Sequence, residues 1–289
     1  MYNFYINQDT CSRCNGCVEV CPLFIIEKRG EIISFKEDFL EICMSCGHCM
    51  AICPTKSIYS KGLDYEKDFF EFSEKDDFFS LIETRRSCRR FKAEPLKREE
   101  IEKLLWAISQ APHSDKEQHV EISVINSREK IMEALPLISK FYDNLEKCFK
   151  NPFISKLFKL LIPKEDYNTL KNFILPHINK GIYRNIGYDY DGITRGAHTL
   201  LIFHAPYASE EHWEDSYIFT TYATLTAHFM GLGSTIIGLI PPAINRSKKL
   251  KEIFKIPKEN VAVSSIVLGH PKYKFKRGIK KKLKNIIWV

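Results

Sequence analysis

The chain has 289 residues, 44% of them hydrophobic and 27% charged, proportions of a folded globular protein that exclude disordered and collagen-like classes. No run approaches the ~18 consecutive apolar residues of a membrane span, and Met1 opens no basic-then-apolar export signal, so a cytoplasmic location is expected. The net charge of +7 is uneven, with 8 Lys and Arg against 15 Asp and Glu on residues 1–84 and 35 against 21 on residues 85–289; the lysines are scattered and no nucleic-acid-binding signature accompanies them, so no nucleic-acid partner is expected.

Eight of the ten cysteines precede residue 54. Cys11-x2-Cys14-x2-Cys17-x3-Cys21-Pro22 recurs 32 residues later as Cys43-x2-Cys46-x2-Cys49-x3-Cys53-Pro54. This is the bacterial two-cluster ferredoxin run, whose fourth cysteine serves the other cluster. Three thiolates at this spacing wrap one face of a cubane, while the fourth lies beyond a turn and points toward its neighbour. Cys11, Cys14, Cys17 and Cys53 are therefore assigned to one [4Fe-4S] cluster, and Cys43, Cys46, Cys49 and Cys21 to the other. Zinc, which needs four thiolates closing tetrahedrally, fits this spacing poorly. Phe24 to Ile26 and Glu31 to Phe35 read as a hairpin around Lys28-Arg29-Gly30, with Ile58 and Tyr59 as a matching strand. Ile6, Val18, Ile25, Ile42 and Ile52 are expected to cover the clusters. His48, inside the second run, reads as a surface or hydrogen-bonding residue.

Residues 1–60 thus form a 2[4Fe-4S] ferredoxin-type domain. An acidic, aromatic linker spans 61–80, with Phe69, Phe70, Phe72, Phe78 and Phe79 expected to dock it, unlike a Gly/Ser tether. From residue 81 the composition changes. Arg85, Arg86, Ser87, Arg89 and Arg90 crowd a probable helix end; the choice there is a solvated basic face or a phosphate site, since guanidinium forks match phosphate. Ile101, Leu104, Leu105 and Ile108 mark an amphipathic core helix over Leu96 to Gln110. A loop from Ala111 leads into a strand at Val120 to Ile125, Arg195-Gly196-Ala197-His198 into a strand at Thr199 to Ala205, and a helix from about Asp215 to Met230 into Gly231-Leu232-Gly233 and a strand at Ser234 to Leu239. The two glycines follow a helix instead of opening one, so a dinucleotide fingerprint is rejected. Alternating helices and short apolar strands indicate an α+β or α/β layer structure. The insertion at 135–190 reads as amphipathic helices broken at Pro152, Pro163 and Pro176, with Phe153, Leu157, Phe158, Leu160, Leu161 and Phe173 among lysines; a lid over a substrate face is favoured over a membrane-surface helix. Cys88 and Cys148 have no second cysteine beside them and read as buried structural residues.

Residues 81 to about 278 resemble the nitroreductase family of FMN-dependent oxidoreductases, and the whole chain resembles its ferredoxin-fused branch. The resemblance is carried by Arg85-Arg86-Ser87-x-Arg89, the Ala111-Pro112 loop with Gln118-x-Val120-Glu121, Arg195-Gly196-Ala197, and Gly231-Leu232-Gly233. It implies an α+β homodimer binding FMN over residues 81–289. Arg85, Arg86, Ser87 and Arg89 would hold the phosphate and ribityl chain, Lys276 and Arg277 would complete the cradle, and Ile236, Ile237 and Gly238 would lie along the isoalloxazine. Pro112, His113 and Ser114 would arrive from the partner subunit. Lys116 stands where the family loop carries asparagine, and would either sit near the pyrimidine side of the flavin or face solvent.

Together the two units read as an oxidoreductase that passes single electrons from two [4Fe-4S] clusters to FMN and then hydride to a small organic acceptor: a nitroaromatic, quinone or activated alkene. Soluble ferredoxin or NAD(P)H would be the reductant, and no side chain is expected to be an indispensable catalyst. The alternative is an electron-transfer module relaying charge to a protein partner.

Overall fold

Thiols at every third residue require a backbone that turns repeatedly, and both cysteine runs turn in the same way. Arg13 and Ser45, and Asn15 and Gly47, hold matching places in the repeat, and all have positive φ, at 57°, 46°, 64° and 72°. At Gly47 a Cβ would also stand 3.3 Å from both Phe69 and Ile279, a tight fit added to the left-handed backbone that glycine takes most readily. The computed structural model that shows this describes residues 4–71, 78–114, 118–209 and 211–289, without the side chains of Phe158, Asp166 and Phe173. Phe72 and Lys116 lie outside the described residues.

The chain divides into two units, Met1–Arg90 with Lys272–Val289, and Phe91–Pro271. The first contains β1 (Tyr5–Ile6), α1 (Gly16–Val20), β2 (Ile26–Arg29), β3 (Ile32–Phe35), α2 (His48–Ile52), β4 (Ile58–Tyr59), α3 (Tyr65–Asp68), β5 (Phe69–Glu71) and α4 (Phe78–Thr84). The expected hairpin is present as β2 and β3, with Ile26 opposite Phe35 and Arg29 opposite Ile32. The strand at Ile58 and Tyr59 does not extend it; it pairs antiparallel with β1, Tyr5 opposite Tyr59. Ile26, Ile33, Met50, Ala51, Ile58, Tyr65 and Phe69 form the core of this unit.

Phe69 and the C-terminal segment therefore belong to the ferredoxin core. Strand Arg277–Ile279 pairs antiparallel with β5. Gly278 is crossed by the Phe70 ring so closely that a Cβ would lie 2.0 Å from it. Phe78 and Phe79, by contrast, are exposed.

The second unit runs α5 (Arg98–Ser109), β6 (Glu121–Ile125), α6 (Arg128–Lys150), α7 (Pro152–Leu161), α8 (Lys164–Thr169), α9 (Leu175–Asn179), β7 (Thr199–Pro206), α10 (His212–Phe229), β8 (Gly233–Ile236), α11 (Ile240–Ile244), α12 (Lys248–Ile253) and β9 (Asn260–Gly269). Its sheet is antiparallel throughout, ordered β6-β7-β9-β8, and is covered on both faces. Side chains alternate across a strand, so Leu201 and Phe203 of β7 enter one core with Ile101, Leu104 and Ile108 of α5 and Phe219 and Ala223 of α10. Leu200 and Ile202 enter the other with Ile131, Leu135 and Ile138 of α6 and Ala243, Ile244 and Leu250 of α11 and α12. This is an α+β fold.

Helix α6 runs unbroken through Leu135 and carries Pro136 inside it. The expected breaks hold at Pro152, which opens α7, and at Pro163, which precedes α8, while Pro176 sits in the first turn of α9. β8 ends at Ile236, three residues short of the expected strand, because the chain turns there to begin the cavity wall described below.

Candidate functional site: two thiol sets, a cationic cluster and a cavity

Proline at the next position disfavours helix for the residue before it. Cys21 and Cys53, each followed by proline, accordingly leave α1 and α2 in extended conformation, with ψ of 115° and 117°. The two short helices pack against each other, so each fourth cysteine departs from its own run. Cys21, Cys43, Cys46 and Cys49 line one cavity with Leu23, Ile25 and Phe35. Cys11, Cys14, Cys17 and Cys53 line another with Ile6, Ile33 and Ile58. Of the other residues expected as cover, Ile42 and Ile52 are buried and Val18 is partly so.

These sets suit a cationic, multi-atom group. Burial, followed by repulsion from Cys53, Cys11 and Cys14, pushes the Cys17 thiol up to about 12. Burial, then Cys46 and Cys21, raises Cys49 well above the ordinary thiol range. Four thiols placed this way can all ionise only around positive charge. The thiols are sorted four to a cavity, as the ligands of two iron–sulfur cubanes would be. Donors reach the sulfurs as well: Ser57 N–H lies 3.3 Å from Cys53 Sγ, and Ser60 Oγ 3.9 Å from Cys43 Sγ. Such contacts and burial tune a cluster's potential.

Beyond α4 the same unit gathers cations. Arg86 is buried; its Nη1 donates to Arg85 O at 2.6 Å and its Nη2 to Ile279 O at 3.3 Å, while its buried Nε has no hydrogen-bond acceptor. Burial, then Arg85, lowers it to about 10. Lys281 is lowered by burial, then by Arg85 and Arg86. His48 is buried, not at the surface. Burial, then Arg89 and Arg86, holds it neutral. The charges acting on Arg86, Lys281 and His48 are thus predominantly cationic, which is the electrostatic signature of an anion site. Ser87 is partly buried within the same stretch. Arg277 is engaged elsewhere: its Nε meets Glu71 Oε1 at 2.8 Å and its Nη1 donates to Cys53 O at 2.6 Å. Lys276 is exposed, and its backbone N–H donates to Ala51 O.

In the second unit, Ile236, Ile237 and Gly238 follow β8 and line a cavity of about 250 Å³ with Trp213, Tyr217 and Arg246. Ile237 is held by two bonds to Ser265: its N–H donates to Ser265 O at 2.9 Å, and Ser265 Oγ donates to Ile237 O at 2.7 Å. Ser264, also on the cavity wall, has a buried Oγ without a hydrogen-bond partner. Pro112, His113 and Ser114 form an exposed loop. Ser114 is tied to its own chain, its N–H and Oγ donating to the buried Asp215 carboxylate of α10 at 3.2 and 3.1 Å. Arg195 and Gly196 take positive φ, and a Cβ on Gly196 would come within 2.2 Å of Asp189 O. Asp191 fixes that turn, accepting from the Ile193 and Gly196 N–H groups and pairing with Arg128 Nη2 at 3.0 Å, both side chains fully buried.

Residues 82–270 match the nitroreductase family, and residues 3–54 match a 4Fe-4S dicluster domain. The chain belongs to the nitroreductase family. A nitroreductase with bound FMN from Bacteroides fragilis NCTC 9343 superposes at a TM-score of 0.55 and 15% identity, covering 74% of this chain and 100% of its own. One from Desulfitobacterium hafniense DCB-2, also with bound FMN, gives 0.52 at 18% identity, over 73% and 97%. An FMN-dependent nitroreductase from Clostridium difficile R20291 gives 0.51 at 20% identity, over 74% and 99%. At such identities the likeness speaks for the fold. No curated protein matches the chain significantly.

In this nitroreductase, reasoning from sequence passed over Lys281, Asp215 and the Arg128–Asp191 pair. The Lys280-Lys281-Lys282 run was the available signal for the first. The others carry none, because each depends on a partner 60 or more residues away.

Proposed function

We propose that the chain is an iron–sulfur flavoprotein oxidoreductase that moves electrons from two [4Fe-4S] clusters through FMN to a small organic acceptor. The observation that carries this reading is the sorting of eight cysteines into two cavities, each lined by three thiols of one run and one of the other, in a chain whose remainder is a nitroreductase. When bound, the clusters supply electrons singly and FMN delivers them in pairs.

The chain's own residues bind and orient. Arg85, Arg86, Ser87 and Arg89 would take the FMN phosphate, where a buried Nε on Arg86 awaits an acceptor. Ile236, Ile237 and Gly238 would lie along the ring, with the Ser265 bonds holding that segment against displacement. Lys276 and Arg277 would complete that cradle, Arg277 while also fastening the C-terminal strand to Cys53 O. In a homodimer, Pro112, His113 and Ser114 would come from the second subunit and Lys116 would follow on the same loop. Nitroaromatics, quinones and activated alkenes are the acceptor classes, with soluble ferredoxin or NAD(P)H as reductant.

The test is anaerobic. Reconstituted protein should contain about eight iron and eight sulfide per chain and bind one FMN. After reduction with dithionite it should be reoxidised by p-nitrobenzoate or a quinone with no protein partner present. Iron and FMN without any such reoxidation would leave a relay module and remove the enzyme reading.

A further inference from the structure

Helix α7 leaves its apolar face uncovered. Phe153, Ile154, Leu157, Leu160 and Leu161 follow the i, i+1, i+4, i+7, i+8 spacing of one helical face. That face points to solvent: Phe153 is 84% exposed, Leu160 79%, Leu161 73% and Leu157 54%. Ser155 of this helix is half-buried, its Oγ lying 3.1 Å from the Oη of the buried Tyr167. The helix is nonetheless firmly started, since Asn151 Oδ1 accepts from the N–H groups of Phe153 and Ile154 at 3.0 and 3.2 Å. It contributes nothing to the cavity beside Ile236, Ile237 and Gly238, whose lining contains no residue of 135–190.

We infer that α7 is a docking face for an anionic lipid surface, on which it lies in the plane of the headgroups. Two observations select this occupant. The apolar arc combines Phe, Leu and Ile, the side chains that enter the acyl boundary. From Lys147 to Lys164 the chain carries five lysines and no acidic residue. Lys150 is paired with Glu146, but Lys156 flanks the apolar arc and Lys159 and Lys164 are exposed close by, on the back of α7 and at the start of α8, so that they add positive charge to this side of the unit, to which lipid phosphates are drawn. A second copy of the chain is disfavoured by the same lysines, because a two-fold contact would set one basic fringe against its duplicate. The inference is independent of the flavin and cluster assignments. It adds surface attachment to a chain in which no described helix is long and apolar enough to cross a membrane.

The full chain, loaded with its cofactors, is floated with vesicles of pure phosphatidylcholine and with vesicles of phosphatidylcholine and phosphatidylglycerol in equal parts. Binding is expected to the mixed vesicles, to weaken with salt, and to fall by roughly tenfold or more for each of Phe153→Ser and Leu160→Ser. Lys156→Glu combined with Lys159→Glu should abolish the preference for phosphatidylglycerol. These positions lie outside both cores, so an unchanged thermal melt checks that each variant is folded. Failure to float with mixed vesicles, or flotation that the Ser variants retain, overturns the inference. So does a Ser variant that lowers the oligomeric mass in sedimentation equilibrium, which would identify a second copy as the occupant.

Discussion

The two units hold their functional information differently. In the first, the groups that matter are cysteines at fixed short spacings, and the fold needs only two matched turns and two prolines to deliver them. In the second, a cavity is walled by the start of α10, the end of β8, α11 and the body of β9, and its Ile237 is held by Ser265 of another strand. A covalent-ligand site is therefore readable as a pattern, whereas a binding surface is a product of packing.

The sharpest way to break this comparison is to remove one crossing cysteine. Cys53→Ser should deplete the cluster bound by Cys11, Cys14 and Cys17, not the one built on Cys53's own run, halving the iron content and leaving a single cluster signal in electron paramagnetic resonance. Loss of the Cys43–Cys46–Cys49 signal instead would show that the runs do not cross. The corresponding lesion in the second unit is Arg128→Ala, which strands the Asp191 carboxylate at zero exposure and should destabilise by about 3–5 kcal/mol. Trp106 and Trp213 both lie in that unit, so tryptophan fluorescence in denaturant should move while the iron content stays constant.

A smaller effect is expected at the cationic cluster. Arg86→Ala should weaken FMN binding by about 1.5–3 kcal/mol, the range for a hydrogen bond to a charged group, read by equilibrium dialysis. Unchanged affinity would take the phosphate away from this segment. His113→Ala should lower turnover by less than about tenfold, ~1.4 kcal/mol of barrier; a thousandfold loss with FMN still bound would make His113 a catalytic residue. The gentlest probe is pH. Burial chiefly lowers the pKa of His204 in the folded state, so the unfolded chain binds the proton more readily. The stability contributed is present above the ordinary histidine value of about 6.5 and is lost as pH falls below it. The melting temperature should decline from about pH 7 to about pH 5.5, and His204→Gln should flatten that decline.

Legibility followed the range of the forces involved. The hairpin was visible in its alternation, but the pairing of Ile58 and Tyr59 with Tyr5 and Ile6 was not, since neither dipeptide records which edge it will meet. Helix α5 was readable from its apolar spacing, and its Ile101, Leu104 and Ile108 are indeed buried. Helix α6 starts at Arg128 and runs across residue 135, where the insertion was expected to begin, with Pro136 inside it. His48 read as a surface or hydrogen-bonding residue because the run already has its four cysteines, and nothing local reveals that Arg89, Arg86 and Lys281 act on it from elsewhere.

What the amino-acid order determined alone was chemistry that repeats over a few residues: two cysteine runs, prolines that turn their last members outward, and amphipathic periods. Those follow from bond geometry and from steric limits acting between neighbours in the chain. What tertiary structure decided was which cation joins which, Arg277 with Glu71 and Cys53 O while Lys281 feels Arg85 and Arg86, and which face of α7 is left to solvent. Electrostatics and burial act through space, and distance through space is set only once the chain has folded.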